Sequence, residues 1–241
     1  MLWKWLEDNF KYRRKRLLLF GRRSPSVLEV SGRAKISKKQ YDALLVCVDY
    51  LERNITVHGL FVISGSVLQV KKIFDKIRSG CPHLEEYLRT VQAPRECAMA
   101  FQQFLSIYRV QVLPQRCTDV IVGDVASVPK RLIALDVLNL LHEEFDDTRL
   151  NFAKRYLQLM RRYTVYGYLR PTEVHIALTP FLALPKILPG PHVRRNMLSK
   201  SMTLLELFLL AGLLDDPVAL SEELHQACVS YWGATEGKKG P

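Results

Sequence analysis

Few residues of this chain combine the type and the spacing that a reaction needs. His58 and His175 stand apart from any Ser, Cys or carboxylate at the spacing of a nucleophile and its base. Both read as surface or satisfied core histidines. The five cysteines, Cys47, Cys81, Cys97, Cys117 and Cys228, are scattered and form no Cys-x-x-Cys pair. A structural zinc site needs clustered ligands, so none is expected, and the thiols read as reduced and mostly buried. Glu143-Glu144 and Asp146-Asp147 lie close together, but nothing in the pattern fixes ligand geometry for a cation. They read as a solvated helix junction. Phosphate-loop and dinucleotide patterns are absent, and no cofactor or metal is expected. Two stretches remain: Val57-His58-Gly59-Leu60-Phe61-Val62-Ile63-Ser64-Gly65-Ser66, and the basic run Arg13-Arg14-Lys15-Arg16.

The elements around the first stretch are helical. Ser37-x-x-Gln40 is a capping-box pattern, followed by Tyr41, Leu44, Leu45, Val48 and Leu51 at helical period, which predicts a helix over 38–53. After the turn between Gly59 and Gly65, Val70, Ile73, Phe74 and Ile77 predict a second over 66–79, stopped by Gly80 and Pro82. Phe61 and Ile63 are expected in the core. His83–Tyr87 gives no clear signal. Cys97, Phe101, Phe104 and Leu105 mark a third helix over 94–108. Pro129, placed near a helix start, opens a fourth that carries Leu132, Leu135, Leu138 and Leu141. Ala153, Tyr156, Leu157 and Met160 mark a fifth over 149–163, and Pro171 a sixth over 171–178. Thr203-x-x-Glu206 reads as a second capping box opening an apolar helix to Leu214, and the chain after Leu220 is expected to fray. Strand signals and internal repeats do not stand out. The chain is expected to be all-α, with an arm at 1–27, a domain at 28–220 and a tail at 221–241.

Composition suits a globular chain: 48% of its 241 residues are hydrophobic and 24% charged. The formal net charge of +11 is uneven, because the first forty residues hold twelve Lys/Arg against three acids. The basicity belongs to the arm. There, Trp3, Leu6 and Phe10 at helical spacing precede Arg13, Arg14, Lys15 and Arg16. Such a segment suits an interfacial helix on anionic lipid, but the favoured reading is a helix docked by its tryptophans or a solvated segment. A nuclear address is the least favoured reading, and no nucleic-acid partner is expected. The longest apolar run, Leu204–Leu214, falls well short of the roughly 20 residues a span requires. The chain is expected to be cytoplasmic, and peripheral at a membrane if the arm meets lipid.

The run from Leu45 through Ile77 resembles the start of a RhoGAP domain, the GTPase-activating module for Rho-family G proteins. There a helix ending in a Tyr-Leu-Glu-like run, here Tyr50-Leu51-Glu52, leads into Gly-Ile/Leu-Phe-Arg-x-Ser-Gly-Ser and a second helix. The likeness spans roughly 28–214, is strongest over 44–78, and implies a RhoGAP-like helical bundle whose partner is a Rho-family small GTPase. It also implies where function sits, and there this chain departs. Val62 stands at the position of the arginine finger. The Lys and Arg of the family's Leu-Lys-x-Phe-Leu-Arg-Glu-Leu-Pro motif map to Gln102 and Ser106, and a GTPase-contacting Asn maps to Glu173. Phe61, Val62, Ser64, Gln102, Ser106 and Glu173 thus form the implied GTPase-binding set, with no catalytic residue among them.

An arginine finger neutralises charge on the transferring phosphoryl and contributes about 10³–10⁵ in rate, roughly 4–7 kcal/mol of barrier. Valine offers neither charge nor donor. The expectation is a regulator, not itself an enzyme, that binds a GTPase with weak or lost activating power. Two readings of Val62 stand: an idle residue at a former active site, or an apolar contact. An active protein using Arg53, Arg95 or Arg109 instead is the alternative, as is a membrane-surface adaptor acting through its arm.

Overall fold

A capping box opens the first helix. In the computed structural model, which describes residues 36–122, 128–166, 181 and 191–236, Gln40 N donates to Ser37 Oγ at 3.3 Å and Ser37 N donates to Gln40 Oε1 at 2.9 Å. Helix α1, Lys38–Arg53, follows and buries Leu44, Cys47, Val48 and Leu51. Helix α2, Val67–Ser79, ends at Gly80, whose φ of +63° is the left-handed conformation that closes helices and that favours glycine. Helix α3, Leu84–Val91, was not anticipated. It is short, but Leu84 and Leu88 are buried one turn apart with Tyr87 half-buried beside them. Helix α4, Pro94–Ile107, carries its proline in the first turn, where no amide is needed.

Helix α5, Gln115–Val122, was likewise not anticipated. Helix α6, Lys130–Glu144, starts one residue after Pro129, and Leu135, Leu138 and Leu141 are buried while Leu132 is half-buried. Helix α7, Asp147–Val165, opens where Asp146 Oδ1 accepts the Arg149 amide at 2.9 Å, so the acidic junction is a helix cap. The four inward residues expected for it, Ala153, Tyr156, Leu157 and Met160, are all buried. The helix expected over 171–178 lies outside the described residues.

Helix α8, Pro191–Leu210, corrects one expectation. Thr203 and Glu206 lie inside it and cap nothing at its start. Its first half, His192–Ser201, is polar, so the apolar period becomes legible only from Met202. A 3₁₀ turn, Ala211–Asp215, leads to α9, Pro217–Glu236. The expected division at 221 falls inside α9, where Leu220 and Cys228 are buried with Leu224 and Ala227 packed against the core.

The described residues are all-α, and none of their helices is long and apolar enough to cross a membrane. α2 packs on α4, α1 on α7, and α8 on α6 and α7. One core fills the space between, with an aromatic seam through it. Phe101 meets Tyr156 edge-on at 5.0 Å, Tyr156 stacks on Phe181 at 4.8 Å, and Phe181 touches Phe208 at 5.1 Å. Outside the seam, an ion-pair group ties α7 to α1. Arg155 bonds Asp49 at 2.6 Å and Glu52 at 3.2 Å, and Arg162 bonds Glu52 at 2.6 Å. Glu52 is the best sheltered of these, with its side chain 19% exposed.

Candidate functional site, a braced loop between two helices

The loop from Val57 to Ser66 is held by its own backbone and by α4. Gly59 adopts φ +65°, where L side chains are strained. Its carbonyl accepts the amides of Val62 at 3.0 Å and Ile63 at 2.8 Å, so residues 59–63 form a single helical-type turn. That turn decides which side chains point inward. Leu60 and Phe61 are buried, and Phe61 lies edge-on to Tyr163 of α7 at 5.2 Å. Val62 is half-buried, and Ser64 is exposed. Ile63 is 37% exposed, contrary to the core position expected for it. A turn with period near 3.6 cannot bury both 61 and 63 on one side, as an extended strand would.

Three side chains from the first turns of α4 clamp the two flanks. The Arg95 guanidinium donates through Nε at 3.2 Å and Nη2 at 2.9 Å to the His58 carbonyl. Glu96 Oε1 accepts the Ser66 amide at 2.9 Å, and Met99 Sδ accepts the Gly65 amide at 3.2 Å. The Glu96 carboxylate also lies at the N-terminal end of α2, where the helix dipole favours negative charge. Gly65 is needed for that approach, because a Cβ there would run into the Glu96 carboxyl. The α4 clamp was not anticipated. Its one sequence signal is the spacing of Arg95 and Met99, which puts them on one helix face.

Gln102 and Ser106 continue along α4, four residues apart and so on one face of it. Gln102 is half-buried, with Nε2 buried and unpartnered among the described residues, and Ser106 is exposed. The structure therefore brings Phe61, Val62, Ser64, Gln102 and Ser106 onto one loop and the helix that braces it. Glu173 lies outside the described residues, as do Arg13, Arg14, Lys15 and Arg16. The arginines that could replace a finger are placed as follows. Arg53 bonds Glu85 through two nitrogens at 3.2 Å. Arg95 spends two donors on the loop itself. Arg109 is exposed just past α4, with φ +48°.

Among the described residues, Cys97 and Cys117 are not activated nucleophiles. Burial pushes the Cys97 thiol well up, with Cys47 beside it adding to the effect, and pushes Cys117 up to about 12. Thiols so placed stay protonated. Among the described residues no group of His, Cys, Asp or Glu could hold a metal ion. What the loop offers is a surface: a rigid turn with Val62 and Ile63 at its crest. Compared with models of protein families, with curated proteins and with solved structures, the chain matches none.

Proposed function

We propose that this protein is a Rho-family GTPase regulator of RhoGAP type that binds its GTPase with weak or lost activating power. The observation that carries the reading is Val57–Ser66, a run that resembles the family's finger loop in wording and has Val62 where the arginine stands. Gln102 and Ser106 extend the argument, since each replaces a cation of the family pattern with a neutral side chain. The bracing of the loop supports it too: a partner surface benefits from a turn fixed in advance, because less entropy is lost on binding. A cytoplasmic setting goes with the proposal, and the basic arm adds attraction to anionic membrane surfaces where those GTPases would be met.

The test is single-turnover GTP hydrolysis by purified Rho, Rac and related GTPases, with the wild type beside Val62→Arg. The wild type is expected to leave hydrolysis near its intrinsic rate, and Val62→Arg to accelerate it. The gain should fall below the full 10³–10⁵ of an intact finger, since Gln102 and Ser106 stay neutral. Acceleration by the wild type would overturn the lost-activity half. Failure to bind every GTP-loaded Rho-family member in a pull-down would overturn the binding half.

A further inference from the structure

Beside the braced loop, α2 and α4 leave an apolar groove open to solvent. It is about 170 Å³ in volume and is lined by Val67, Lys71 and Phe74 of α2 and by Met99, Gln103 and Ile107 of α4. Two of its walls are unusually bare for aliphatic side chains: Val67 is 79% exposed and Ile107 65%. Leu68, next to Val67 in sequence, and Ile63 on the braced loop are also exposed. Clustered bare aliphatics of this kind mark interaction surfaces more often than single exposed ones do.

The charge around the groove is one-sided. α2 and α4 together carry two acids, Asp75 and Glu96, and both are engaged. Asp75 pairs with Arg78 at 3.2 Å, and Glu96 accepts the Ser66 amide. Of the cations, Lys76 lies 4.4 Å over the Tyr87 ring and Arg95 holds the His58 carbonyl. Lys71 on the groove wall is exposed and makes no ion pair among the described residues. From Val67 to Phe74 the α2 wall runs two helical turns, about 10 Å, which is the span of an i, i+4, i+7 stripe on a docked helix.

We infer that this groove docks an amphipathic helix of a partner protein whose apolar stripe is bordered by Asp and Glu. The stripe covers Val67, Phe74, Met99 and Ile107, and the acids meet Lys71. A second copy of this chain would set Lys71 against its own kind across a two-fold axis, and the basic segment of the chain would bring more cations to it. Like charges so placed are repulsive. The inference does not rest on the GTPase reading, because it uses neither Val62 nor the family pattern.

The experiment is fluorescence anisotropy on the full chain with three labelled helical peptides of about sixteen residues. One carries a Leu stripe at i, i+4, i+7 and i+11 with Glu elsewhere, one the same stripe with Lys, and one the Glu composition scrambled to break the stripe. The Leu/Glu peptide is expected to bind best. Val67→Asp with Ile107→Asp should weaken it by on the order of tenfold, with the thermal melt unchanged. Lys71→Glu should move the preference toward the Lys peptide, and Val62→Arg should leave binding as it is. Equal binding of the scrambled peptide, no binding of any peptide, or no effect of the paired Asp substitutions would overturn the inference. So would a dimer in sedimentation velocity that those substitutions dissociate.

Discussion

Removing one oxygen from the middle of the core should stabilise this protein. Tyr156 is fully buried in the aromatic seam, against Phe101, Phe152 and Phe181. Its hydroxyl oxygen is buried and has no hydrogen-bond partner among the described residues, and burial pushes its pKa up, so it stays a neutral and unsatisfied O–H. Leaving such a group unpaired costs about 1–3 kcal/mol. Tyr156→Phe removes that cost. The void it leaves, on the order of 15 Å³ at about 24 cal/mol per Å³, returns only about 0.4 kcal/mol. The net expectation is a gain of about 0.6–2.6 kcal/mol, or about 1–10 °C in Tm for a chain of this size. The assay is paired urea and thermal unfolding of wild type and variant, with an unchanged m-value as the check that the unfolded state is the same. Tyr87→Phe is the counter-experiment, because the Tyr87 hydroxyl accepts from Gln69 Nε2 at 2.8 Å. It should cost about 0.5–1.5 kcal/mol. If Tyr156→Phe were destabilising, or if the two variants moved stability in the same direction, the reasoning from satisfaction of buried hydroxyls would be refuted for this core.

Other consequences are testable by simpler means. Gly59→Ala should cost about 1–2 kcal/mol through its left-handed φ, read as a fall in Tm, whereas Gly59→Asn should cost less because Asn tolerates that region. Glu85 has its carboxyl held below its ordinary value of 4.5, first by the hydrogen bond from Arg53 and then by Arg89. A carboxyl depressed on folding adds stability above its unfolded value and loses it as pH falls through the folded one. The gap in Tm between wild type and Glu85→Gln should therefore be open at neutral pH and close as pH drops below 4.5. On the membrane-adaptor reading, deleting residues 1–23 should abolish co-sedimentation with vesicles rich in anionic lipid, and about 0.5 M salt should do the same to the intact chain. Binding that survives either treatment would remove the arm from the account.

How much of this was legible in the sequence depends on how each element is stabilised. α1, α2, α4, α6 and α7 could be read because each buries a stripe at helical period, and Ser37 with Gln40, Gly80 and Pro129 mark an end of α1, α2 and α6; the cap at Asp146 reads from sequence only as a solvated junction. α3 and α5 were missed because eight residues give too few periods to stand out beside Pro82 and Pro114. α8 was read with a false start because its polar first half hides the stripe that its second half displays. Ile63 was misplaced because a short apolar run can be read as alternating or as turning, and only the Gly59 carbonyl decides between them. The clamp on the loop was illegible for a different reason. Arg95, Glu96 and Met99 act through backbone atoms thirty or more residues away in sequence, and no local pattern encodes that distance.

The same clamp bears on whether another arginine could do the work Val62 cannot. Freeing Arg95 would give up charge-assisted bonds to the His58 carbonyl, about 1.5–3 kcal/mol, against the roughly 4–7 kcal/mol of barrier a finger supplies. Energy alone would permit that exchange. Geometry argues against it, because the bonds given up are among those that fix the turn on which a finger must stand, and catalysis of this kind depends on positioning. Arg53 faces a smaller loss, since its pair with Glu85 is exposed, but its guanidinium is directed to α3. Arg109 gives up no ion pair among the described residues, but it lies past the end of α4 opposite the clamp. Met99, the α4 residue that touches the loop nearest to it, is separated from Ile107 by about 12 Å of helix, and Arg109 lies beyond that. Each substitute is thus opposed by bracing, by direction or by distance, which is why the proposal places the lost activity at Val62 and makes Val62→Arg the substitution to restore it.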